Sequence, residues 1–87
     1  MTNDEIARTV KDYILRTHLP GEDPSKLAPS TPLITSGILD SLATLELVSF
    51  LEQTFGIELE AHDVDPERLD TLERIEGLVV SRRRGAG

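Results

Sequence analysis

The chain has no cysteine, so neither a disulfide nor a thiolate-bound metal supports its fold, which fits a reducing compartment. It has no tryptophan, one tyrosine and two phenylalanines, too few to build a stacking platform for nucleic-acid bases. No apolar run approaches the ~20 residues that span a bilayer. The N-terminus lacks the charged-then-apolar layout of a signal peptide. Bases are scarce where acids are dense. Residues 40–76 hold eleven acids and only Arg68 and Arg74 in opposition, a net −9 inside a chain of net −7. Such a segment repels nucleic acid and attracts basic protein surfaces. The only histidines are His18 and His62, neither within a few residues of Ser41, and there is no Gly-x-Ser-x-Gly turn. A serine nucleophile would therefore lack a base and an oxyanion site. The acids show no metal-loop spacing. Asp63 and Asp65 read as solvated. The expectation is a soluble, cytoplasmic, monomeric protein that is not an enzyme, binds no nucleic acid and does not insert into a membrane.

What is present is enough for one small domain: 87 residues, of which 38% are hydrophobic. Thr2 to about His18 reads as a first helix. Thr2 and Glu5 make a capping box, and Ile6, Val10, Tyr13 and Thr17, with Ile14 beside them, recur at helical spacing. Pro20 and Gly21 end it. Leu19 to Leu39 is a long connection with four of the five prolines. A loop of that length in so small a domain needs anchors, and Leu27, Leu33, Ile34, Ile38 and Leu39 are placed to provide them. Residues 58–69 are short and polar, with one helical turn at Ala61–Asp65 that Pro66 limits. Asp70 and Glu73 form an Asp-led capping box for a last helix with Leu72, Ile75 and Val79 on its apolar stripe and Leu78 at the edge. Residues 82–87, with Arg82, Arg83 and Arg84 before Gly85-Ala86-Gly87, read as a flexible tail. The fold expected is all-α: a four-helix bundle of three longer helices and a short third one, with the long loop between the first two.

The second helix, Ser41 to Phe55, carries the chemistry. Asp40 is an N-cap whose carboxylate can accept from the N–H groups of Leu42 or Ala43, which have no partner inside the helix. Ser41 then lies on the first turn with its hydroxyl outward, where an attached phosphate ester meets the positive end of the helix dipole. Leu47, Val48, Leu51 and Phe55 share one arc and face the core. Gly56 suits a left-handed stop. Leu42, Leu45, Glu46, Ser49 and Gln53 lie opposite. Single surface leucines are common, but two beside Ser41, rimmed by Asp40, Glu46 and Glu52, make a docking patch.

An Asp-Ser pair at a helix start is by itself ordinary capping. The wider pattern Ser36-Gly37-Ile38-Leu39-Asp40-Ser41-Leu42, followed by Leu45-Glu46-Leu47 and Leu51-Glu52-Gln53-Thr54-Phe55-Gly56-Ile57, resembles the acyl carrier protein family. The likeness runs from about Ile6 to Val80. It implies that Ser41 carries 4'-phosphopantetheine, transferred from coenzyme A by a phosphopantetheinyl transferase, and that the cofactor's thiol holds an acyl group as a thioester. The chain would then gain its only thiol from the cofactor. The resemblance further implies partner enzymes that load and process the acyl group, docking basic surfaces on Asp40, Leu42, Leu45, Glu46, Ser49 and Glu52. It also implies an acyl chain partly sheltered between helices. Gly-Ile-Leu-Asp-Ser is closer to D-alanyl carrier proteins and stand-alone carriers of specialised metabolism than to the fatty-acid pattern. Ala43 and Gln53 stand where fatty-acid carriers often have acids. An aminoacyl cargo is therefore an alternative, and an unmodified helical interaction module is another. A small hydrolase using Ser41 ranks below both.

Overall fold

The computed structural model describes residues 3–21, 23, 25 and 27–86. Four helices form, α1 (Asn3–Thr17), α2 (Ser41–Phe55), α3 (Pro66–Leu69) and α4 (Leu72–Ala86), with a 3₁₀ turn at Ala61–Val64, and there is no strand among the described residues. The all-α bundle expected from the sequence is the fold observed. Its core is aliphatic. Ile6, Val10 and Ile14 of α1, Leu47 and Leu51 of α2, Leu69 of α3 and Leu72, Ile75, Leu78 and Val79 of α4 are buried together. Each fully buried residue of this kind contributes roughly 1.5–3 kcal/mol relative to exposure. α1 packs chiefly on α4. Across α1 and α2, Tyr13 stacks on Phe50 with ring centroids 4.1 Å apart. Thr17, placed on the apolar stripe of α1 by spacing alone, is exposed at the helix end. Thr2 of the expected capping box lies outside the described residues.

The long connection is held down as its apolar residues require. Leu27, Leu33 and Leu39 are buried in the core, and Ile34 and Ile38 pack against it. Backbone bonds then close it locally: the N–H of Gly37 donates to the carbonyl of Ile34 (3.1 Å) and that of Leu39 to the carbonyl of Leu33 (2.8 Å). Gly37 sits at φ +88°, a left-handed conformation that a side chain would disfavour. The connection is also tied to the far side of the molecule, where the N–H of Glu73 donates to the carbonyl of Pro29 (3.2 Å).

Three expectations are corrected below. The turn at Ala61–Val64 ends before Pro66, as expected, and Pro66 then opens a helix of its own. It occupies the first helical position, where its missing N–H costs nothing, and Asp65 caps the turn by accepting from the N–H of Glu67 (2.9 Å). The third helix is thus split into the 3₁₀ turn and α3. Asp70 does not cap α4; Thr71 Oγ1 accepts the N–H of Arg74 (3.1 Å) in its place. Asp63 is not solvated: it is fully buried, its Oδ2 accepts the N–H of Glu60 (3.0 Å), and Arg82 lies 2.5 Å from the same oxygen. For that reason Arg82 belongs to the folded body, and α4 continues to Ala86 where a tail from residue 82 was expected.

Candidate functional site

The loop 33–39 ends on Asp40, whose extended backbone (φ −84°, ψ −173°) turns the chain into α2. Its Oδ1 accepts the N–H of Ala43 at 2.7 Å. Thr44 completes the cap from inside, its hydroxyl donating to the Asp40 carbonyl at 2.8 Å. Both Ala43 and Thr44 are buried, which sequence spacing did not indicate; the small side chains let the first turn of α2 approach the core. With the turn fixed on its inner side, Ser41 is left exposed on the outer side. Its Oγ takes no hydrogen bond from or to the described residues. At the other end Gly56 stops α2 in the left-handed region (φ 65°), as its position after Phe55 predicts.

The face of α2 that continues from Ser41 is unusual for an aliphatic protein of this size. Leu42 is 67% and Leu45 58% exposed, the large hydrophobic residues left in solvent among the described residues. Glu46 and Ser49 follow on the same exposed side, at the i, i+3 and i+4 spacings that make helix neighbours. Exposing two leucines forgoes stabilisation of a few kcal/mol. Glu52 differs from the rest: half-buried, its Oε2 accepts the N–H of Leu59 (3.0 Å) and so secures the segment after α2.

A groove of about 570 Å³ opens beside Ser41. Ile34 and Leu39 from the loop, Thr44 and Leu45 from α2, and Val64 and Pro66 from the third-helix segment wall it. Among the described residues, no histidine lines it. His18 packs edge-on against Tyr13, with centroids 5.7 Å apart, and Tyr13 stacks on Phe50. Phe50 is nine residues along α2 from Ser41, about 13 Å at the helical rise. The His62 side chain lies outside the described residues. No group of three or more potential metal ligands occurs among the described residues. The Tyr13 hydroxyl is held above its ordinary range, first by burial and then by the charge of Glu46.

The residue that sequence reasoning missed is Asp70. Its Oδ1 accepts from the backbone N–H groups of Leu33 (3.1 Å), Ile34 (2.8 Å) and Thr35 (3.0 Å), and its Oδ2 accepts from the Thr35 hydroxyl (3.0 Å). The Thr35 N–H, followed by those of Ile34 and Leu33 and the Thr35 hydroxyl, holds this carboxyl below the usual range against the opposing effect of burial. A contact spanning 35–37 residues leaves no local pattern by which to find it.

An outward hydroxyl on a helix's first turn, next to an open groove with mostly apolar walls, fits a long tethered group whose chain can lie along the protein. Residues 16–79 match the family model described as "Phosphopantetheine attachment site". The chain is 31% identical over 75 residues to the D-alanyl carrier protein of Lacticaseibacillus casei (strain BL23), a likeness spanning 86% of this chain and 90% of that one. No helix among the described residues is long and apolar enough to cross a membrane. The protein is thus a member of the phosphopantetheine-attachment family of carrier proteins, with covalent 4'-phosphopantetheine as its prosthetic group.

Proposed function

We propose that Ser41 is the attachment residue, and that the protein carries an acyl group there as a thioester and presents it to partner enzymes. The observation that carries this reading is the exposed Ser41 at the head of α2, flanked by the groove and by exposed Leu42 and Leu45. When bound, 4'-phosphopantetheine supplies a terminal thiol on a flexible arm, which gives high local concentration at each active site it reaches.

The chain's own residues do the holding and the docking. Asp40 and Thr44 fix the first turn of α2, and a phosphodiester held on Ser41 would lie at the positive end of the helix dipole, an interaction worth roughly 0.3–1 kcal/mol at an exposed site. Leu42 and Leu45 give partners an apolar foothold. Asp40, Glu46, Ser49 and the exposed edge of Glu52 give a polar and acidic rim for basic surfaces on a phosphopantetheinyl transferase, a loading ligase and acyl-processing enzymes. Small, charge-steered interfaces release quickly, as successive visits require. Ser41 is then the substrate of outside enzymes and not a nucleophile of its own. Coenzyme A and those enzymes place the work in the cytoplasm, and the free carrier acts as a monomer.

A second reading concerns the cargo. The likeness to a D-alanyl carrier protein and the Gly37-Ile38-Leu39-Asp40-Ser41 sequence favour an amino acid loaded on the same arm. One experiment addresses both levels. The protein is incubated with coenzyme A and a broad-specificity phosphopantetheinyl transferase, and its intact mass is read. A single phosphopantetheinyl adduct on wild type and none on Ser41→Ala is expected; no adduct on wild type, or equal adducts on both, defeats the assignment. The mass of cargo on protein from its own cell then separates acyl from aminoacyl.

A further inference from the structure

Asp70 lies outside α2 and outside the groove, yet it controls the backbone that leads to Ser41. We infer that Asp70 is a positioning residue for modification of Ser41: its carboxylate gathers the consecutive N–H groups of Leu33, Ile34 and Thr35 and thereby sets the loop that presents the serine. This inference rests on Ser41 being the attachment residue.

The path is short and continuous. Three successive N–H groups form a small anion-binding concavity, and Oδ1 of Asp70 fills it at 2.8–3.1 Å. Oδ2 takes the Thr35 hydroxyl, and the Asp70 carbonyl also accepts from the Leu33 N–H at 2.6 Å. The segment so held is closed on itself by the bond from the Leu39 N–H to the Leu33 carbonyl. Leu39 immediately precedes Asp40, the cap of α2, and Ser41 follows. Ile34 on the clasped segment and Pro66 on the segment that leads into Asp70 both line the groove. One carboxylate at the α3–α4 junction therefore couples the loop wall of the groove, its third-helix wall and the approach to the serine.

Among the described residues, no other element supplies these bonds. Without the carboxylate the Ile34 and Thr35 N–H groups lose their acceptor among the described residues, and exchanging water in its place holds the loop less firmly than a fixed carboxylate. The buried anchors Leu33 and Leu39 keep the loop attached, so the expected effect is a wider distribution of loop positions and not unfolding. A transferase that needs one of those positions then sees a smaller competent fraction. Apparent affinity falls by that fraction while turnover of the bound complex is unchanged.

The test compares phosphopantetheine transfer to full-length wild type, Asp70→Ala and Asp70→Asn, at a temperature where far-UV circular dichroism shows all three folded. Asp70→Ala is expected to raise KM for the carrier by about fivefold with kcat retained. Asp70→Asn keeps an oxygen acceptor for the three N–H groups and is expected to stay within about twofold of wild type. Amide hydrogen exchange should accelerate over residues 33–40 in Asp70→Ala and not at Val10 or Ile75. Unchanged KM and unchanged exchange in a folded Asp70→Ala overturn the inference, as does a uniform loss of protection, which would mark a purely structural role. If Asp70→Ala does not fold, wild-type exchange decides. Protection at Ile34 and Thr35 comparable to that at Leu39 supports the clasp, and free exchange there refutes it. Wild type that accepts no phosphopantetheine defeats the Ser41 assignment instead, while the exchange measurement still reports on the clasp.

Discussion

Replacing Arg82 with methionine keeps most of the aliphatic stem and removes the charge that faces Asp63. The carboxylate is fully buried, whereas the Arg82 side chain is 31% exposed. Stripping the partner from a wholly buried pair costs about 3–5 kcal/mol, and an exposed pair contributes about 0–1 kcal/mol. This pair has one dry end and one end that water can reach. Asp63 also keeps the N–H of Glu60. We therefore expect a loss of about 2 kcal/mol, between those limits. In a domain of this size that lowers Tm by about 8–16 °C, read by thermal unfolding at pH 7. Arg83 is exposed on the same helix and serves as control; Arg83→Met should stay within about 0.5 kcal/mol of wild type. The double variant Asp63→Asn/Arg82→Met should recover part of the loss, because the stranded charge is gone. A Tm for Arg82→Met within about 2 °C of wild type, or an equal fall for Arg83→Met, would refute the reasoning and return residues 82–87 to the status of a loose tail. The outcome bears on function, because Val64, next to Asp63, lines the groove beside Ser41.

Three further outcomes follow. Leu42→Asp should leave Tm unchanged within about 0.5 kcal/mol, since that side chain is mostly in solvent, yet raise KM in the transferase assay; unaltered kinetics would remove Leu42 from the docking surface. Asp40→Ala removes the acceptor for the Ala43 N–H and should cost about 1 kcal/mol, a fall of about 4–8 °C in Tm. Asp70 has its carboxyl lowered chiefly by the Thr35 N–H. Its contribution to stability is therefore complete above the unfolded carboxylate range, about pH 3.9, and is lost as pH falls through the lower folded value. Acid titration of wild type should show a destabilising step below about pH 3.9 that is reduced in Asp70→Asn; identical acid profiles would contradict it.

The parts legible in the sequence are those set by short periods. Ile6, Val10 and Ile14, and Leu47 and Leu51, recur at helical spacing and are all buried. Asp40 and Gly56 mark the ends of α2 because capping chemistry is local. The exposure of Leu42 and Leu45 followed from the same geometry. Long-range polar contacts were not legible. Asp70 reaches back to Thr35, and Asp63 forward to Arg82; in sequence each is one acid among many. The exchange of capping duty from Asp70 to Thr71 is a shift of one residue, which pattern cannot resolve when both side chains are good caps. The start of α3 was legible in principle, since Asp65 followed by Pro66 is a cap followed by a proline at the first helical position.

The attachment point itself is tested most directly by fragmentation mass spectrometry of protein purified from its own cell. Cleavage after Lys26 and Arg68 yields one peptide that holds Ser30, Ser36, Ser41 and Ser49 together. A phosphopantetheinyl group localised on Ser41 is expected, bearing an acyl or aminoacyl thioester in the loaded fraction. The same group on Ser36 or Ser49, or a peptide that is never modified, would contradict it.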